Sequence, residues 1–112
     1  MEVTLVQQEP VTVVALQGSI DSVTADQLTQ ALAAHINAGR CKLVADFSGV
    51  SYTSSAGLRS LLITLKSSRK GGGDFRIAAV QSSVMSVLAM SGFSSLFKVF
   101  DSLPQAVESY AG

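Results

Sequence analysis

The chain has little of what catalytic, metal-binding or membrane chemistry usually requires. A single cysteine, Cys41, excludes an internal disulfide. A single histidine, His35, sits among no other Cys, His or carboxylate at ligand spacing, so no metal and no cofactor are expected. Eight basic and eight acidic residues cancel to a formal net charge of zero, so no long-range field favours direct binding to nucleic acid or to an anionic membrane. No apolar run approaches the roughly 20 residues of a membrane-spanning helix, which argues against membrane insertion. The sequence does not open on a basic start and a long apolar run, and the expected location is cytoplasmic. Repeats and low-complexity segments are missing as well. What remains suits one domain over residues 1–112, because an apolar content of 47% is ample for a core. Nothing in the sequence specifies an oligomeric state, and a monomer is the expectation.

Chemistry is concentrated in residues 46–62, DFSGVSYTSSAGLRSLL. Lys42-Leu43-Val44-Ala45 reads as a short buried strand, about residues 41–46, that Asp46 stops. Leu58, Leu61, Leu62 and Leu65 then fall on one face of a helix. Between them Ser48, Ser51, Tyr52, Thr53, Ser54 and Ser55 crowd the helix start. A first turn carries unpaired N–H groups and a partial positive charge, which suits an anion such as phosphate. One of Thr53, Ser54 or Ser55 is needed as the N-cap, and that capping role alone accounts for part of the cluster.

The rest of the chain alternates. β-Branched runs at residues 2–6 and 11–17 flank Gln7-Gln8-Glu9-Pro10 and predict a hairpin, its first strand nearer an edge. Gly18-Ser19-Ile20-Asp21 reads as a loop leaving the sheet, with Asp21 or Ser22 capping a helix over residues 23–38. That helix places Val23, Leu28, Ala31, Leu32, His35 and Ile36 at helical spacing, and Gly39 suits its end. His35 is expected at or near the surface, and Cys41 as a small packing residue. Lys66, Arg69 and Lys70 suit the negative end of the second helix, and Gly71-Gly72-Gly73 reads as its cap and turn, since the order helix, glycine, strand is the reverse of a P-loop. A fourth strand over residues 75–80 precedes a short helix capped by Ser82-Ser83, with Val84, Val87 and Leu88 inward and Gly92 at its end. A short edge strand at residues 97–100 and a last helix starting at Asp101 or Ser102 and burying Leu103, Ala106, Val107 and Tyr110 complete the order ββαβαβαβα. Such alternation predicts an α/β domain with a mainly parallel sheet of four to five strands, an N-terminal hairpin and about four helices.

Sites in open α/β sheets lie at the carboxyl ends of the strands. That rule selects the loops after the second and third strands, so Asp21, Asp46, Ser54 and Ser55 are expected to share one end if those strands are neighbours. The plainer roles, a helix cap for Asp21 and a strand stop for Asp46, stay open beside acceptor orientation. Catalysis is not expected: Gly49-Val50-Ser51-Tyr52-Thr53 fails the Gly-x-Ser-x-Gly pattern and His35 lies on another helix.

The stretch DFSGVSYTSSAGLRSLL resembles the signature of the STAS family, the anti-sigma factor antagonists. Gly18-Ser19-Ile20-Asp21 resembles the family's strand-to-helix loop, and Met90-Ser91-Gly92-Phe93 with Leu96-Phe97 its C-terminal motif. The resemblance implies a STAS-type single domain that acts as a phosphorylation-switched binding module. Unmodified, it would dock on an anti-sigma factor with serine kinase activity and free a sigma factor; phosphorylated, it would let go, and a serine phosphatase would restore it. Ser55 matches the acceptor serine and Gly57-Leu58 the pair that follows. Ser54 stands where many members have Asp, which makes it an alternative acceptor. Ala56, Leu58, Arg59 and Leu62, where they face outward, are the implied partner surface, and Arg59 stands out because the helix dipole disfavours a cation there. The alternative is a STAS interaction subunit that is never phosphorylated, part of a larger assembly such as a lipid transport complex.

Overall fold

Val11-Thr12-Val13-Val14-Ala15-Leu16 is apolar or small on both faces, which suits a strand covered on both sides. It lies second in a five-stranded sheet of order β1-β2-β3-β4-β5. In the computed structural model, which describes residues 2–8 and 10–111, β1 (Glu2–Gln8) runs antiparallel to β2 (Val11–Ile20). The strands β3 (Lys42–Thr53), β4 (Asp74–Ala78) and β5 (Val99–Phe100) follow parallel to β2. Three helices connect them, α1 (Ser22–Asn37), α2 (Ser55–Lys70) and α3 (Ser82–Met90), the last followed by a 3₁₀ turn at Phe93–Ser95, and a fourth, α4 (Leu103–Glu108), follows β5. The expected element order and hairpin are present, and β1 is the exposed edge. Of the hairpin linker, Gln7 and Gln8 belong to β1, and Glu9 lies outside the described residues.

Alternation along the strands divides the core. Val14, Leu16, Leu43, Ala45, Phe75 and Ile77 face a large cluster with the buried sides of α1, α2 and α3. Val11, Val13, Val44 and Ala78 face a small one closed by Ala106 of α4, with Leu103, Val107 and Tyr110 around it. No helix among the described residues is long and apolar enough to cross a membrane.

Two strands run further than the sequence predicts. β2 continues through Ile20 and β3 through Thr53, so Gly18-Ser19-Ile20 does not leave the sheet and Asp46 does not end its strand. The extra lengths pair with each other, Gly18 with Val50 and Ile20 with Thr53, across two register irregularities. These irregularities bury Phe47, Val50 and Thr53, spaced by three, so this part of β3 lacks the period-two pattern of a regular strand. On α1 the buried residues are Ala25, Leu28 and Leu32, while Val23 and Ala31 face solvent. Gln81, not Ser82 or Ser83, occupies the N-cap position of α3 and makes no side-chain cap bond. Instead the Gln81 amide donates to the Ser48 carbonyl at 2.8 Å and the Ser83 hydroxyl to that of Ser51 at 3.2 Å, tying α3 to the extension of β3. His35 is half-buried. Cys41 is buried, and a Cβ on Gly71 or Gly73 would collide with it.

A polar network closes the opposite end of the sheet. Buried Asp74 accepts from Arg69 Nε at 3.0 Å and from Arg76 Nε at 3.1 Å, and its Oδ1 also accepts the Phe75 backbone N–H at 2.9 Å. The Arg76 guanidinium stacks 3.9 Å from the Tyr110 ring centroid. The Tyr110 hydroxyl lies 2.7 Å from the Leu43 carbonyl and 2.8 Å from that of Asp74, bridging β3 and β4 from beyond α4. Burial pushes its ionisation well above the usual range, so it stays a donor.

Burial alone would raise the Asp74 carboxyl, but hydrogen bonds from Arg76, Phe75 and Arg69 outweigh it and hold the group below its ordinary 3.8. A depressed native pKa makes the stabilisation complete above about pH 4, lost as pH falls through the native value. Asp74→Asn should therefore cost about 1–3 kcal/mol at neutral pH. Urea unfolding followed from neutral to acid pH should show that the gap between variant and parent closes as the pH drops; a gap independent of pH would refute this role.

Candidate functional site

The ends of β2 and β3 lie side by side, and the chain turns from β3 directly into α2. At the turn the Ser54 N–H donates to the Ile20 carbonyl at 2.9 Å. Ser54 itself is extended, with φ −91° and ψ 157°, and its Oγ accepts the Gly57 N–H at 3.0 Å. Of the three possible caps, Ser54 is therefore the one used. Thr53 is buried, with its hydroxyl 3.3 Å from the Ser54 carbonyl.

Ser55, the first helical residue, is exposed. Its Oγ lies 3.1 Å from the Oγ of Ser91, which follows α3. Ser91 belongs to a motif visible in the sequence, but its meeting with Ser55 depends on how α3 packs and has no sequence signal.

Gly57 makes this geometry possible. A Cβ there would lie 3.0 Å from both Ile20 Cγ2 and the Ile20 carbonyl oxygen, and 3.1 Å from the Asp21 carbonyl carbon. The first turn of α2 thus rests on the β2–α1 junction, which brings Asp21 to the same end. Asp21 caps α1: its Oδ1 accepts the Thr24 N–H at 2.9 Å, and the Thr24 hydroxyl accepts the Asp21 N–H at 2.8 Å in a capping box. The Thr24 N–H lowers the Asp21 carboxyl below its usual value, so it is anionic at neutral pH.

Asp46 does not join them. It lies within β3, opposite Ala15 and Ala78, where its Oδ1 accepts the Ser48 N–H at 3.0 Å. The strand between it and Thr53 spans about 20 Å at the usual rise, because β3 continues where a loop is expected. The remaining residues divide by burial. Ala56 and Arg59 are exposed, Leu62 is half-buried against the core, and Gly57 and Leu58 are fully enclosed. Leu58 therefore supports the surface from beneath. Sequence reasoning undervalued the apolar side chains exposed on the elements around Ser55: Val23 (63% exposed), Tyr52 (55%) and Met90 (87%). Helical spacing assigned Val23 to the core, and nothing in the sequence marks Met90 as exposed.

Chemically, the arrangement offers an exposed hydroxyl, bonded only to another hydroxyl, at the positive end of a 16-residue helix. Gly57→Ala should gain about 1 kcal/mol of helix propensity and lose about 1–3 to overpacking against a stiff backbone carbonyl, for a net loss of about 1 kcal/mol. Ser54→Ala should cost about 1 kcal/mol through the lost cap. Chemical unfolding of both variants tests this; a stabilised Gly57→Ala would show that the approach to Ile20 does not matter.

Comparison with known proteins places this arrangement. The family model described as the STAS domain matches residues 2–106. A Bordetella bronchiseptica protein, BtrV, named as a candidate anti-sigma factor antagonist, is 33% identical over 110 residues, covering 98% of this chain and 95% of that protein. Among solved structures, a candidate anti-sigma factor antagonist of Thermotoga maritima superposes with a TM-score of 0.90 at 20% identity, over 98% of this chain and 95% of the other. The unphosphorylated anti-sigma factor antagonist SpoIIAA gives 0.84 at 18% identity, over 99% and 97%. The phosphorylated form of SpoIIAA, a Bacillus cell fate determinant, gives 0.74 at 16%, over 97% and 99%. With a family match along nearly its whole length and the same architecture in these structures, the chain belongs to the STAS domain family.

Proposed function

We propose that this protein is an anti-sigma factor antagonist whose docking is switched by phosphorylation of Ser55. The observation that carries the reading is the division of labour between adjacent serines. Ser54 Oγ is occupied as the cap of α2, whereas Ser55 Oγ is exposed one residue later. Ser54, the alternative acceptor, is half-buried and its Oγ already accepts the Gly57 N–H, so a phosphate there would crowd the cap of α2. BtrV and SpoIIAA, named as they are, support the antagonist role, and the two solved forms of SpoIIAA support the switch. The partner is an anti-sigma factor with serine kinase activity, and a serine phosphatase reverses the modification. Neither nucleic acid nor membrane insertion enters, and the setting is cytoplasmic.

The switch follows from charge. A phosphate adds about −1.5 to −2 charges and three strong acceptor oxygens. The start of α2 stabilises such a charge by roughly 0.3–1 kcal/mol, so the fold tolerates it. Burying a hydrated dianion against a partner costs far more than that. The docking face comprises Ala56, Arg59 and the outer edge of Leu62, flanked by Val23, Tyr52 and Met90. Asp21, on the adjoining junction, caps α1 through Oδ1 and would lend its second carboxylate oxygen to orienting the acceptor. Asp46 takes no direct part.

Ser55→Asp should weaken docking on the cognate kinase by about 100-fold, in line with a charge placed in a desolvated interface. Ser55→Ala should dock normally and accept no phosphate, and Ser54→Ala should still be modified. Titration calorimetry with the kinase, and peptide mapping after incubation with kinase and ATP, read these outcomes. Unchanged docking of Ser55→Asp would instead favour a STAS subunit that is never switched.

A further inference from the structure

Resting on the switch at Ser55, we propose that the phosphorylated form is held by its own chain: the phosphate is received by Arg59 of the same helix and by the hydroxyl of Ser91. Ser55 and Arg59 are four residues apart on α2, so their side chains share one face. Helical side chains lean toward the N-terminus, which carries the guanidinium back over the first turn. An anion followed by a cation four residues later is the favourable orientation of such a pair. Arg59 is exposed and makes neither an ion pair nor a side-chain hydrogen bond among the described residues, and α2 contains no acidic residue to compete for it. In the unmodified protein the cation is therefore uncommitted, at the end of the helix where its own dipole disfavours it.

Ser91 supplies the other side. Its hydroxyl, already 3.1 Å from Ser55 Oγ, can turn its proton toward a phosphate oxygen. Two groups oppose the phosphate. The carboxyl end of α3, adjacent to Ser91, presents a partial negative charge of about half a unit. Asp21 carries a full charge, but its Oδ1 accepts the Thr24 N–H in the α1 cap. No residue of α3 is charged, and Tyr52 is the only titratable group in the last turn of β3 before Ser54. Arg59, with a full charge and several donors in a planar fork, acts together with the positive start of α2 and outweighs a screened, cap-bound carboxylate and the half charge at the end of α3. The consequence is a bridge from the start of α2 to the end of α3 that exists only in the modified protein, and a guanidinium withdrawn from any partner.

The test is the full chain carrying phosphoserine at position 55, introduced during translation so that no kinase is needed. Phosphorus NMR titration reads the second ionisation of the phosphate, ordinarily near 6. A neighbouring guanidinium favours the dianion, so this pKa should be about half a unit lower in the parent than in Arg59→Gln, the shift shrinking as salt is added. Arg59→Lys should retain part of the shift, and Ser91→Ala should lose a smaller part. Equal values in the parent and Arg59→Gln would overturn the proposal. Docking of the same phosphoprotein on the kinase is read separately: if it binds as tightly as unmodified protein while the shift persists, the clamp stands and the switch reading falls.

Discussion

The close approach of Gly57 to Ile20 is the constraint on which the site depends. β2 and β3 end together because Ile20 pairs with Thr53 and the Ile20 carbonyl takes the Ser54 N–H. The chain can then enter α2 at once only if the first turn of the helix rests on the end of β2. Any side chain at position 57 would push it away, since the nearest atoms include a backbone carbonyl that cannot rotate aside. With glycine there, one serine caps, the next faces solvent, and Asp21 of the neighbouring junction is carried to the same end. The close packing of this junction thus depends on one missing Cβ.

The same helix is fixed at its far end. Arg69 reaches Asp74 and the Leu96 carbonyl, and Gly71 and Gly73 lie against Cys41. Leu58, Leu61 and Leu65 bury the side between. α2 therefore behaves as a rod about 24 Å long, anchored at both ends. The switch proposed at Ser55 would accordingly act at the surface, by charge and desolvation, rather than by refolding of the domain.

Much of this organisation was legible in the sequence because it is periodic or local. The apolar face of α2 and the β-branched hairpin follow from spacing and residue type, which also narrow the caps of α1 and α4 to two residues each, of which Asp21 and Ser102 are the ones used. What was not legible is non-local. The extensions of β2 and β3 stabilise each other through pairing across register irregularities, which erase the alternation that would reveal a strand. With the end of β3 misplaced, Asp46 is drawn to the wrong place. On α1, Val23, Ala31 and the residues actually buried differ by a few positions around the helix, and only the neighbouring α2 decides which side is covered. The network of Arg69, Asp74, Arg76 and Tyr110 joins residues far apart in sequence, and no single segment announces it.

The neutrality of the chain bears on how such a site can work. With formal charges that cancel, no general field attracts or repels a partner, and exposed charges beyond about 10 Å are screened at ordinary salt. Under the docking proposed above, association relies on short-range complementarity around Ser55, where Val23, Tyr52 and Met90 offer apolar area and Arg59 a single cation. On a strongly charged protein, one phosphate would be a small perturbation of a large field. On this chain, whose formal charges cancel, the phosphate proposed at Ser55 would add about −1.5 to −2 charges to a net charge of zero, on the face proposed to dock. A neutral domain would for that reason be sensitive to one such modification, with the sensitivity confined to the surface within a screening length of it.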